Sequence, residues 1–149
     1  MSIDQRLSEL GLELPEPISP SGSYVRYQMT GNYLYISGTG PSAAHKKGKV
    51  GKDVTLEEAN AAARDVGLQL LATAKAALGS LDRITKTVKV LGMVNSDPSF
   101  SEQPKVINGC SDLLVEVLGD AGKHTRSAVG FVALPNQITV EIEATFEFE

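Results

Sequence analysis

The chain is poor in the residues that build several common kinds of site. A single cysteine, Cys110, rules out an intrachain disulfide and fits a reducing compartment. There is no tryptophan, and aromatics make up only 5% of the residues, too few for a platform on which nucleic-acid bases stack. No stretch approaches the roughly 18 continuous apolar residues of a membrane span. The first residues, Met1 to Arg6, lack the apolar core of a secretory signal. A cytoplasmic location with no membrane partner is therefore expected. Positive charge is also scarce: 14 Lys and Arg against 18 Asp and Glu give a net charge of −4. Binding driven by attraction to phosphates is not expected, so nucleic acid is an unfavoured partner. The densest basic run, His45-Lys46-Lys47-Gly48-Lys49, is short and glycine-flanked and reads as a solvated loop. His45 and His124 are the only histidines, and neither has a cysteine or acid at ligand spacing. No metal site, no Ser-His-Asp triad and no cofactor are expected. Gly38-Thr39-Gly40 lacks the rest of any phosphate-cradling fingerprint.

What is present is an ordinary globular composition, 42% hydrophobic and 21% charged, over 149 residues. That length predicts one domain, residues 1–149, able to bury its own core. A short amphipathic helix is predicted over Ser2–Gly11, followed by a proline-rich extended segment to Gly22. Two strands, Ser23–Thr30 and Tyr33–Gly38, flank Gly31-Asn32 as a hairpin. The polar stretch from Ser42 to Asp53 reads as a loop with room for a short strand at Lys49-Val50.

Thr55 and Glu58 have the spacing of a capping box, opening a helix that Gly79 ends. Its apolar stripe, Ala59, Ala62, Ala63, Val66, Leu70, Ala74 and Ala77, is narrow and alanine-rich, suited to close packing on a sheet. A strand follows over Ile84–Val94, with Ile84, Val88 and Val90 expected on one side. Ser99 and Glu102 suggest a second capping box, for a helix carrying Val106, Ile107, Cys110, Leu113, Leu114 and Val117 and ending at Gly119. Pro104 falls in its first turn, where a missing N–H costs little. Cys110 lies on the apolar stripe and reads as packing rather than chemistry.

The last fifth of the chain predicts two strands, Thr125–Val132 and Ile138–Phe148. The turn Leu134-Pro135-Asn136-Gln137 is expected to lay them side by side. In the second, Ile138, Val140, Ile142, Ala144, Phe146 and Phe148 share one face, and Thr139, Glu141, Glu143, Thr145 and Glu147 share the other. Helices that are apolar on one side only predict an α+β layer, a mixed sheet with two helices on one face. The other sheet face, with its acids, must meet solvent or another subunit. By alternation alone, Glu141 is one acid among several on that face.

The run Arg126-Ser127-Ala128-Val129, then Leu134-Pro135, then Val140-Glu141-Ile142-Glu143-Ala144 resembles the C-terminal signature of the RidA/YjgF family of reactive-intermediate deaminases. Ser23-Tyr24-Val25, Ile36-Ser37-Gly38, Leu81 to Lys86 and Asn108 support the resemblance, which covers nearly the whole chain from about Ser21. It implies a chorismate-mutase-like fold and a homotrimer whose sheets pack into a barrel-like centre, with sites in clefts between subunits. It also implies small 2-imino or 2-keto acids as ligands, and hydrolysis of 2-imino acids to 2-keto acids and ammonia.

By the same resemblance Arg126 holds the ligand's carboxylate, Glu141 activates water, and Tyr24, Ser37 and Gly38 line the cleft. A planar guanidinium fork suits a carboxylate, and a carboxylate can accept a proton from water. Two positions depart from the pattern. Ala128 stands where many members have cysteine, and Thr39 follows the serine-glycine pair where many have glutamine. Hydrolysis of an imine needs no enzyme nucleophile, so the departures leave a second reading open: a small-carboxylate-binding protein without turnover. An endoribonuclease, an activity sometimes attached to the family, conflicts with the acidic charge.

Overall fold

The computed structural model describes all of residues 1–149. The chain runs α1 (Ile3–Glu9), β1 (Tyr27–Thr30), β2 (Tyr33–Thr39), α2 (Leu56–Leu78), β3 (Ile84–Asn95), α3 (Gln103–Leu118), β4 (Thr125–Phe131) and β5 (Val140–Phe148). The five strands form one sheet in the order β1-β2-β5-β3-β4. Only β3 and β4 are parallel; the remaining pairs are antiparallel. This is the expected α+β layer. No helix is long and apolar enough to cross a membrane.

The core follows the predicted pattern. Val140, Ile142, Ala144 and Phe146 of β5 are buried, as are Ala59, Ala62, Ala63, Val66, Leu70 and Ala74 of α2 and Val106, Ile107, Cys110, Leu113, Leu114 and Val117 of α3. All belong to one apolar cluster between the sheet and the two helices. The Thr55–Glu58 capping box is formed in both directions, and Gly79 ends α2 at φ 83°. The helices approach so closely that a Cβ on Gly109 of α3 would overlap the backbone carbonyl of Asn60 in α2. Arg64 and Glu116 close the same seam with an ion pair of 3.0 Å.

Four expectations are corrected. First, β4 and β5 are not neighbours: β3 lies between them, parallel to β4 and antiparallel to β5. The Leu134–Gln137 turn is therefore a crossover past the end of β3. Asn95, fully buried there, pins the crossover by donating through Nδ2 to Ile138 O and to Gln137 Oε1, both at 3.2 Å. Asn136 and Gln137 adopt left-handed φ of 56° and 57° to make the bend. Second, register shifts in β3 at Ile84/Lys86 and Thr87/Lys89 break the expected parity. Ile84 and Val90 stay buried, but Thr87 turns inward and Val88 outward. Third, Ser99 does not cap α3. Its backbone N–H donates to Asp97 Oδ2 at 3.1 Å and its hydroxyl bonds the same oxygen, while Glu102 occupies the cap without a side-chain bond. Those two bonds hold the Asp97 carboxyl below its ordinary range. Fourth, β1 starts only at Tyr27, and the strand suggested at Lys49-Val50 is reduced to bridges from Val50 to Val54 and Ser96.

Candidate functional site

In β2 the pairing with β5 passes from Ile36 opposite Ala144 to Thr39 opposite Ile142. Two residues, Ser37 and Gly38, thus face one, Glu143, and the strand bulges. Bulges re-aim side chains and release backbone groups from the ladder. This one opens a cleft of about 720 Å³ on the sheet face that carries no helix, lined among others by Tyr24, Arg26, Ser37, Gly38, Pro135, Asn136, Glu141 and Glu143.

The structure therefore brings together four of the five residues singled out in the sequence: Tyr24, Ser37, Gly38 and Glu141. Glu141 lies directly over Gly38, and a Cβ there would overlap its carboxylate. The bare backbone at position 38 is what lets the acid reach the cleft floor. Glu141 is half-buried while Glu143 is exposed, so burial separates two acids that alternation left equivalent. The Ser37 hydroxyl donates to Val25 O at 2.7 Å, tying the bulge to the segment that carries Tyr24. The Tyr24 phenol, half exposed, is held below its ordinary range by hydrogen bonds with Ser21 first and Arg26 next.

The fifth residue is elsewhere. Arg126 pairs in register with Val90 on the helix-facing side of β4, an edge strand. Its guanidinium donates to Ser111 Oγ at 3.0 Å and Pro104 O at 3.4 Å, both on α3. Glu141 leaves β5 on the opposite face, beyond β3. Within one chain the two cannot meet on one ligand. Arg126 is half-buried and has no acidic partner within ion-pair distance. His124 sits beside it, with Nδ1 2.6 Å from Gly122 O and Nε2 2.9 Å from Ser111 Oγ. A carbonyl only accepts, so Nδ1 donates to Gly122 O, and the Ser111 oxygen accepts from Arg126. Asn108 lies on α3 and does not line the cleft. Cys110 is fully buried, and burial pushes its thiol up to about 12 despite the nearby Arg126 cation.

Sequence reasoning missed Arg26. It is 8% exposed and has no carboxylate partner, and it lines the same cleft as Glu141. The available signal was a lone cation two residues after Tyr24, just ahead of a strand. A second concavity, of about 660 Å³, lies between α1, residues 12–17 and α2. Its Asp4 and Lys75 pair with each other at 3.0 Å, and none of the residues singled out in the sequence lines it.

Residues 4–141 match the family described as "YjgF/chorismate_mutase-like, putative endoribonuclease". The chain is 42% identical over 145 residues to Protein TCP17 of Trypanosoma cruzi, covering 95% of this chain and 91% of that one. It is also 42% identical to the crystal structure of Atu1372, a protein of unknown function from Agrobacterium tumefaciens. There the TM-score is 0.90, with 99% of this chain and 94% of that one covered. A structure from Shewanella oneidensis, described as a putative endoribonuclease, shares 34% identity at a TM-score of 0.94, over 99% of this chain and 100% of that one. The family match over most of the chain, with relatives 34–42% identical along nearly their whole length, shows that the chain belongs to the YjgF/chorismate-mutase-like family.

Proposed function

We propose that this protein hydrolyses small 2-imino acids to 2-keto acids and ammonia, in clefts completed by a second copy of the chain. The observation that carries the reading is the approach of half-buried Glu141 to the bare backbone of Gly38, with Tyr24 and Ser37 on the same cleft. Water attacks C2 of the protonated imine while Glu141 accepts a proton from it, giving a carbinolamine. Transfer of that proton to nitrogen lets the C–N bond break as the hydroxyl proton passes to the departing amine, giving the ketone and an ammonium ion. A single group that takes and returns one proton meets the requirement of general acid–base catalysis.

The reading also needs a cation for the substrate carboxylate. Arg126 fits that role chemically, and its place on edge strand β4 puts it where a neighbouring copy would meet it. The helix-free face supports such an assembly, because it exposes Tyr33, Tyr35, Val129 and Phe131. Large apolar groups exposed on both sides of an open sheet face favour burial against a partner. A homotrimer is the assembly proposed, and the cytoplasm the proposed location.

The test is direct. Purified protein is added to freshly generated 2-iminopropanoate or 2-iminobutanoate, and keto-acid release is followed. Acceleration over buffer is expected; none, alongside tight 2-keto acid binding by calorimetry, would establish a binding protein instead. RNA cleavage is disfavoured by the net charge of −4.

A further inference from the structure

Arg26 is a buried cation that the hydrolase reading leaves without a role. Burying a charge is costly unless it is paired or fully hydrogen-bonded. Arg26 has no acidic partner; its hydrogen-bond acceptors are all neutral oxygens of the bulge and the adjoining Tyr24, over whose ring the guanidinium carbon lies at 5.9 Å. Nη1 donates to Gly38 O at 3.1 Å and makes a longer contact with the Tyr24 hydroxyl at 3.5 Å. Nη2 donates to Thr39 Oγ1 at 2.6 Å and to Ser37 O at 3.4 Å. The Thr39 hydroxyl in turn donates to Ser37 O at 2.9 Å. Nε, the fifth donor, is buried with no partner.

A bulge leaves backbone carbonyls without ladder partners, and buried carbonyls must find donors elsewhere. Here the two carbonyls of the bulge, Ser37 O and Gly38 O, converge on one guanidinium. We propose that Arg26 is a positioning residue. Its planar fork caps the carbonyls freed by the β2 bulge and, with Thr39, holds Gly38 beneath Glu141 and the Tyr24 hydroxyl at the cleft wall. Thr39 is then no isolated departure but the hydroxyl partner that this arginine requires. Because a guanidinium only donates, the Tyr24 oxygen accepts from it, and the backbone N–H of Ser21 donates to the same oxygen at 3.5 Å. Two N–H donors on one phenol oxygen direct its own hydrogen outward, toward Ser21 Oγ or a ligand.

The inference rests on the hydrolase reading for its kinetic arm only. Arg26→Gln and Arg26→Lys are compared with the native protein, with Tyr24→Phe identifying the phenol's own step in an ultraviolet titration. Thermal melting checks that each variant is folded. Arg26→Gln is expected to move the Tyr24 titration to higher pH, toward an ordinary phenol. It should lower kcat on 2-iminopropanoate by about 10–100-fold with KM changed by less than about 3-fold, as expected when a reacting group is displaced by a fraction of an ångström. Arg26→Lys should not restore kcat, because an ammonium cannot span the same set of acceptors. Thr39→Val, which keeps the cation, should shift both readouts in the same direction by less, and it carries the test if the arginine variants do not fold. Folded variants with native titration and native kcat would overturn the proposal. If the native protein hydrolyses no imine, the hydrolase reading fails by itself. The Tyr24 titration then decides the role of Arg26 alone, a shift supporting it and no shift overturning it.

Discussion

Two arginines mark two regions that look equivalent in the chain and differ in the fold. Arg26 precedes β1, is nearly fully buried, and spends its donors on the bulge that floors the Glu141 cleft. Arg126 sits on the opposite edge of the sheet, half-buried, tied only to Ser111 and Pro104 of α3. The first has no freedom to change partners; the second holds one hydroxyl and one long carbonyl contact that a carboxylate can outcompete. A motif names the arginine proposed to bind, whereas the arginine proposed to build is visible only once strand order and bulge are known.

The comparison breaks first at Arg126. Arg126→Ala should lower kcat/KM on 2-imino acids by about 10²–10³-fold, the loss of a charge-assisted carboxylate anchor. Its melting temperature should stay within about 2 °C of the native value, since no buried group is orphaned. Arg26→Ala should do the reverse in part. It removes the guanidinium donor from Gly38 O, whereas Ser37 O keeps the Thr39 hydroxyl; a group left unpaired costs about 1–3 kcal/mol, and calorimetry should show a melting temperature lower by several degrees. An Arg26→Ala protein as stable as native would mean the fork caps nothing.

Gly38→Ala sharpens the contrast at the cleft itself. The added methyl would push the Glu141 carboxylate aside, and that side-chain tip can swing away. Turnover should fall about 10–100-fold while stability changes by less than about 1 kcal/mol. The smallest effect concerns the neighbour of Arg126. Cys110 should resist alkylation in the folded protein at neutral pH and react fully once unfolded, because burial outweighs the nearby cation and keeps it a thiol.

The fold was legible where one periodicity held without interruption. The alternation from Val140 to Phe146 and the stripes of α2 and α3 define the core seen in the structure, and the Thr55–Glu58 cap forms as its spacing suggests. Legibility failed where a local competitor intervened. Asp97 captured Ser99, a short-range bond that beats a helix cap. The first register shift in β3 reversed the parity and turned Val88 outward, and the second restored it, so Val90 stays buried. The side-by-side placement of β4 and β5 failed because sequential strands usually, but not always, pair, and β3 was inserted between them. Four candidate residues singled out through sequence resemblance to a known family line one cleft. Arg26 was not found, because its partners are backbone carbonyls that no side-chain motif encodes.

Mixing subunits tests most directly whether the site is shared between chains. Arg126→Ala and Glu141→Gln chains, each inactive alone, are co-expressed and co-purified as mixed assemblies. If Arg126 of one copy serves the Glu141 cleft of another, random mixing should restore about a quarter of native imine-hydrolase activity, because one pairing in four reunites the two native residues. If mixed assemblies form and stay as inactive as their parents, the shared site is contradicted.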